Sequence, residues 1–153
     1  MDDQKAKAVI LAVDDTPENL DVVKGLLVPE YIIKAAPSGA VALKIVEALT
    51  PDLILLDIMM PGMNGYEVCE RLKANPATKN VPVIFVTAMS EPENETKGLG
   101  LGGVDYVTKP ISPPIVKARI KTHLALYKQS RALEHMIAKL EAQAGELSEW
   151  NRT

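Results

Sequence analysis

Three aspartates, a threonine and a lysine follow short apolar runs in this 153-residue chain, and together they have the chemistry to handle a phosphoryl group. Asp14 and Asp15 follow Val9-Ile10-Leu11-Ala12-Val13, Asp57 follows Leu53-Ile54-Leu55-Leu56, Thr87 follows Val83-Ile84-Phe85-Val86, and Lys109 follows Asp105-Tyr106-Val107-Thr108. Carboxylates brought close together repel, so either one takes up a proton or a cation is held among them. An oxygen-only donor set with no histidine or thiolate favours Mg²⁺ that keeps several waters, over zinc or a fully caged Ca²⁺. A lysine and a hydroxyl beside them would neutralise phosphoryl oxygens, and a carboxylate can attack phosphorus to form an acyl phosphate. Taken alone, Asp57 has a second reading of equal standing, as a cap for the turn signalled by Pro61-Gly62.

The elements that must position these groups follow from hydrophobic periodicity. Val9–Val13, Tyr31–Ala36, Leu53–Leu56, Val83–Val86 and Asp105–Thr108 read as five short strands, the second one weaker and nearer an edge. Between them lie helical patterns. The first starts at Thr16-Pro17-Glu18, with Thr16 as N-cap and Leu20, Val23 and Leu27 on its apolar face. The second is capped by Ser38 and carries Val41, Ile45 and Leu49 along one side, and the third runs from Gly65 to Lys73. The fourth starts near Pro92-Glu93 and is expected to be short or loose, because Gly98, Gly100, Gly102 and Gly103 each cost about 1 kcal/mol relative to alanine in a helix interior. The last begins at Pro113-Pro114, with Ile115, Ile120 and Leu124 as apolar positions.

Strict alternation of strand and helix with short links implies a doubly wound α/β fold, a five-stranded parallel sheet covered on both faces by right-handed crossovers. All strand tips then share one edge. Asp14, Asp15, Asp57, Thr87 and Lys109 converge there, which weighs against chance polar residues after strands. No Gly-rich phosphate loop follows the first strand, so binding an anion there without metal is disfavoured.

Composition sets the outer bounds. The 47% hydrophobic and 24% charged content belongs to one soluble globular domain with a short appendage, and no apolar run reaches the roughly 18 residues of a membrane span. Met-Asp-Asp-Gln-Lys lacks the apolar stretch of a signal peptide, so a cytoplasmic location is expected. Cys69 is the single cysteine, in line with Tyr66 and Leu72, and reads as a buried small hydrophobe. A net charge of −3 gives no overall footprint for nucleic acid, although Lys117 to Lys139 is locally basic.

Asp14-Asp15, Leu-Leu-Asp57-Ile-Met-Met-Pro-Gly-Met-Asn-Gly, Val-Thr87-Ala and Tyr106-Val-Thr-Lys109-Pro110 resemble the receiver domain of two-component response regulators, over about Val9 to Tyr127. The resemblance implies the flavodoxin-like strand order 2-1-3-4-5. It makes Asp57 the phosphoacceptor for a histidine kinase or phosphotransfer protein. Asp14 or Asp15, with Asp57 and the backbone carbonyl of Met59, would ligate Mg²⁺. Lys109 would contact the phosphoryl oxygens, and Lys109-Pro110 would be cis. Thr87 would swing toward the phosphate and Tyr106 would turn inward, altering the surface of the fourth helix, fifth strand and fifth helix. The Gly98 to Gly103 segment is where that switching element would be loose, and small Ala88 would leave room for the donor. Such a module is not an enzyme beyond its own phosphorylation and dephosphorylation. An aspartyl-nucleophile phosphatase would usually want an acid two positions after the nucleophile, where this chain has Met59. A phosphate-independent dimerising scaffold is the other alternative.

Beyond the receiver match, taken as residues 1–127, residues 128–153 read as a helical linker. Leu126, Leu133, Leu140 and Leu147 recur every seven residues, with Ser130, Ile137 and Ala144 between them. A parallel two-stranded coiled coil, and so a homodimer, is expected, with a helix folded back on its own domain as the alternative. Trp150 would pack across the coil or fray. His123 and His135 read as packing and surface residues, distant from the carboxylates. The end of the chain looks like a linker leading to an output domain, possible outputs being a nucleotide cyclase, a diguanylate cyclase or an HD-type phosphodiesterase. With no room for a helix-turn-helix module, direct DNA binding is disfavoured.

Overall fold

The computed structural model describes residues 7–88 and 92–150. Its elements run β1 (Val9–Val13), α1 (Pro17–Leu27), β2 (Ile32–Ala36), α2 (Gly39–Ala48), β3 (Leu53–Asp57), α3 (Gly65–Ala74), β4 (Val83–Thr87), α4 (Pro92–Gly100), β5 (Asp105–Thr108) and α5 (Pro113–Trp150). The five strands pair in parallel in the order β2-β1-β3-β4-β5. The side chains of 148–150 and residues 151–153 lie outside the described part, as do the side chains of 92–95.

Period-two alternation along the buried strands sends their side chains into two layers. Leu11, Val13, Ile54, Leu56, Val83 and Phe85 face α2 and α3, where Val46, Val68, Cys69 and Leu72 meet them. Ile10, Ala12, Leu53, Leu55, Ile84 and Val86 face α1 and α5, against Val23, Leu27, Val116 and Ile120. All five residues of β3 are buried. Each of its four aliphatic side chains contributes roughly 1.5–3 kcal/mol by leaving water, and that anchorage is what holds a carboxylate at the strand's end. β2 is an edge strand with only Ala36 fully buried, in keeping with its weaker pattern.

Local chemistry explains where the helices begin. Ser38 Oγ accepts the Val41 N–H at the start of α2, and Asn64 and Glu67 form a reciprocal capping box at the start of α3. Thr16 occupies the cap of α1, but its side chain makes no capping bond; its N–H instead donates to Asp14 Oδ1 at 2.9 Å. Two apolar faces differ from the sequence expectation. In α2 the buried residues are Gly39, Ala42 and Val46, while Val41 and Leu49 are exposed. Small residues face inward there because α2 packs closely on α3: a Cβ on Gly39 would stand 2.6 Å from Val68 Cγ2. In α5 Val116, not Ile115, joins Ile120 in the core.

The glycines after Pro92 leave α4 nine residues long, as short as expected, yet two of them are close-packed. A Cβ on Gly98 would meet Tyr106 Oη at 2.7 Å and the Phe85 ring at 2.9 Å, and one on Gly103 would meet Phe85 at 2.4 Å. They let α4 sit down on the Phe85 ring. α5 is a single unbroken helix of 38 residues. Leu126, Leu133, Ile137, Leu140 and Leu147 are each about half exposed or more along it. Among the described residues no helix is long and apolar enough to cross a membrane.

Candidate functional site

Because all five strands point the same way, the residues at their C-terminal ends meet along one edge. β1 delivers Asp14 and Asp15, β3 ends on Asp57, β4 ends on Thr87, and β5 leads into Lys109. One carboxylate oxygen from each of Asp14, Asp15 and Asp57 can be chosen so that all lie within 4.8 Å of one another. Lys109 Nζ donates to Asp14 Oδ2 at 2.9 Å and stands 3.5 Å from Asp57 Oδ1. Asp14, Asp57 and Thr87 are buried, and Asp15 is exposed at the mouth.

Burial pushes the Asp57 carboxyl above its ordinary range, the Asp14 charge adds to the shift, and Lys109 opposes it. Burial alone would pull the Lys109 ammonium down, but its hydrogen bond to Asp14 and the charges of Asp57 and Asp14 lift it above its usual value. The lysine therefore stays charged, and a single ammonium faces three carboxylates. That deficit of positive charge, with oxygen donors alone, fits a hard divalent cation such as Mg²⁺.

The chain around the cluster is shaped to hold it. Gly65 N–H donates to Ile58 O at 2.9 Å, and a Cβ at Gly65 would fall 2.2 Å from Asp57 O, so only glycine allows α3 to start against the backbone that carries Asp57. Gly62 turns the loop between them with φ +76°. Met59, two residues past Asp57, sends its side chain into solvent at 63% exposure. The Lys109-Pro110 bond is cis. Ala88 is exposed beside Thr87.

Tyr106 lies away from the carboxylates and is already turned inward. Its ring packs on Phe85 at 5.4 Å between centroids, and its hydroxyl lies 3.1 Å from that of Tyr66. Several participants carried little signal in the sequence. Asn19 Nδ2 donates to Asp14 Oδ2 at 3.2 Å, from a position that reads only as the first turn of α1. Tyr66 reads only as core. Asp105, read as the first residue of a strand, accepts from the Tyr106 N–H, from Arg119 and from His123 Nε2 at 2.9 Å. Those bonds hold its carboxyl below the ordinary range even though burial pushes it up. They also clamp β5 to α5. His123 is thus a packing residue, remote from Asp57, while His135 lies exposed on the far part of α5.

Known proteins resemble this chain in sequence and in fold. Residues 10–121 match the family model described as the response regulator receiver domain. The chain is 51% identical over 119 residues to a protein of Vibrio cholerae serotype O1 named "Probable cyclic di-GMP phosphodiesterase", covering 78% of this chain and 27% of that one. It is 40% identical over 116 residues to the response regulator PleD of Caulobacter vibrioides, covering 75% of this chain and 26% of the relative. The chain therefore spans about a quarter of the length of these relatives. Among solved structures, the chemotaxis protein CheY4 of Vibrio cholerae superposes with a TM-score of 0.74 at 27% identity, covering 76% of this chain and 98% of the other. The receiver domain of the Francisella response regulator 1452 gives 0.72 at 28% identity, covering 81% and 99%. With the family model spanning most of its length and the strand order and edge cluster in place, the chain belongs to the response regulator receiver domain family of two-component systems.

Proposed function

We propose that Asp57 accepts a phosphoryl group from the phosphohistidine of a histidine kinase or phosphotransfer protein. The observation that carries this reading is the placement of Lys109 Nζ between Asp14 and Asp57 within one tight carboxylate cluster. An Asp57 oxygen attacks phosphorus, the P–N bond to the donor imidazole breaks, and the electron pair leaves with the imidazole, giving an acyl phosphate on Asp57. Asp14, Asp15, Asp57 and the backbone carbonyl of Met59 would hold Mg²⁺, which when bound neutralises charge on the phosphoryl oxygens. Lys109, fixed by Asp14, neutralises a further oxygen, and the Thr87 hydroxyl reaches toward the same group. Ala88 leaves the approach to phosphorus open. Tyr106, held beside Phe85, is the residue through which β5 would register the change.

In this reading residues 1–127 form the receiver and 128–153 a linker. The exposed leucines of α5 pair with a second copy as a parallel coiled coil, and phosphorylation alters the geometry of that dimer for a covalently joined output domain. The Vibrio cholerae relative's name favours a cyclic-dinucleotide enzyme as that output. A kinase-coupled module of this kind works in the cytoplasm, without direct contact with nucleic acid or membrane. Incubation with Mg²⁺ and a small acyl phosphodonor should add one phosphoryl mass in an acid-labile bond. Absence of the adduct, or an adduct that persists in Asp57→Asn, overturns the assignment.

A further inference from the structure

α5 passes beneath the sheet at the edge opposite Asp57, and where it leaves the domain it roofs a crevice of about 820 Å³. Asp52, in the floor, lies five residues before Asp57, about 16 Å away along an extended strand, so the two places are separate. The domain contributes Lys7, Tyr31 and Asp52, and the helix contributes Tyr127, Lys128 and Arg131, with His135 at the rim.

Lys7, Lys128, Arg131 and Asp52 line the crevice, with the Glu30 charge acting on Tyr31 and Glu134 on the adjoining wall with Arg131, in a chain whose net charge is −3. Asp52 has already committed Oδ2 to the Val9 N–H at 2.8 Å. The Arg131 guanidinium lies over the Tyr127 ring, 5.5 Å from its centroid, so cation and aromatic face occupy the same wall. Tyr31 brings a second ring from the floor; burial and then the Glu30 charge raise its phenol, which keeps its proton as a donor. The helix phase separates this wall from the leucines. At 100° per residue, Leu124, Lys128, Arg131 and His135 share one face, and Leu126, Leu133, Leu140 and Leu147 fall on nearly the opposite one. Pairing through the leucines would leave the crevice open.

We propose that this crevice binds a ligand of the nucleoside polyphosphate class, with its ring against Tyr31 and the stacked Arg131–Tyr127 pair and its phosphates at Lys7, Lys128 and Arg131. The volume lies within the range of small-molecule sites, and joined cations and rings match a ligand that carries both charge and a flat base. A bound ligand would bridge the domain and the outgoing helix, fixing the direction in which α5 leaves.

The test is a titration of the ¹⁵N-labelled full chain with ATP in EDTA, which removes divalent cations from the Asp57 edge. Shifts should appear at Lys7, Tyr31, Lys128 and Arg131. K128A/R131A should weaken binding at least about tenfold, and K117A/K121A, on the same helix outside the crevice, should change it less than about twofold. Adenosine and pyrophosphate should each bind at least about tenfold more weakly than ATP. Circular dichroism and retained phosphodonor labelling of Asp57 establish that K128A/R131A is folded and keep this test independent of the phosphoacceptor assignment. No shifts up to about 5 mM ATP, shifts confined to the Asp14 and Asp57 edge, equal losses in both double variants, or pyrophosphate binding as tightly as ATP would each overturn the proposal.

Discussion

Lys109 Nζ is closer to Asp14 than to Asp57, at 2.9 Å against 3.5 Å. The ammonium is thus hydrogen-bonded to one carboxylate and shared electrostatically with the other. A phosphoryl group on Asp57 would bring new oxygens to a lysine already in place, at little reorganisation cost. Removing it has two opposed effects. Lys109→Ala should slow phosphoryl uptake by about 10²-fold or more, comparable to loss of one oxyanion donor. The same substitution should tighten Mg²⁺ binding by about fivefold to tenfold, because a repelling unit charge a few ångströms away has gone. Isothermal titration with Mg²⁺ beside labelling kinetics reads both, and a parallel loss of the two would contradict the geometry.

Asp57 also sets a pH dependence. Its folded-state carboxyl is raised, chiefly by burial, so the native state binds more protons than the unfolded chain between the ordinary carboxylate range and the raised value. Stability attributable to this group is present below the ordinary range and is lost as pH rises through the folded one. At neutral pH Asp57→Asn should therefore raise the thermal midpoint, by about 2–6 °C, and the gain should vanish near pH 4. Thermal melts of both proteins from pH 4 to 8 without Mg²⁺ check the sign; a destabilised Asp57→Asn at pH 7 would contradict it.

Mg²⁺ should relieve the same repulsion. At ten times its dissociation constant it should stabilise the wild type by about 1.4 kcal/mol. Asp14→Asn should abolish most of that gain, and Asp15→Asn should reduce it less if its exposed carboxylate acts through water. Melting with Mg²⁺ against EDTA separates the two.

The Asp105 clamp has the opposite sign. Its carboxyl is held low by Arg119, His123 and the Tyr106 N–H, so the stability it supplies is present above the ordinary carboxylate range and is lost as pH falls through its folded value. Asp105→Ala should cost about 1–3 kcal/mol at neutral pH and leave Asp57 labelling intact. Hydrogen exchange should report looser amides along α5 near Arg119 and His123.

Two glycines should respond in opposite directions to alanine. Gly25→Ala in α1 meets nothing within 4 Å and should stabilise by about 0.5–1 kcal/mol through helix propensity. Gly98→Ala gains the same propensity but drives a methyl into Tyr106 Oη and the Phe85 ring, and overpacking of about 1–3 kcal/mol should win. Denaturant midpoints of the two variants decide it.

The sheet was legible because buried parallel strands announce themselves. Leu53 to Leu56 can only be covered on both faces, and the residue that ends such a run lands on the functional edge whatever the helices do. The five edge residues thus came together from strand order alone. Helix phase was less legible. α2 is apolar on several sides, and the inward face is chosen by small Gly39 and Ala42, which a reading weighted toward Val41, Ile45 and Leu49 passes over. The run Gly98 to Gly103 gave the short α4 expected, but the packing role of Gly98 and Gly103 was not legible, because they answer to the Phe85 ring, a partner more than ten residues earlier in the chain. Polar partners such as Asn19 for Asp14, five residues on, or Arg119 and His123 for Asp105, 14 and 18 residues on, have no spacing signature.

The unbroken α5 has a mechanical consequence. From Tyr127, the last residue of the helix packed against the core, to Trp150 it extends about 35 Å. A tilt of about 5° at the domain would move its far end by about 3 Å, two residues' rise along a helix. Side-chain rearrangements too small to notice around Phe85 and Tyr106 would then arrive at the other end as a displacement comparable to the step between neighbouring layers of a coil. In the proposed switch the helix would be a lever arm, pivoting where the Asp105 clamp and Tyr127 hold it to the domain.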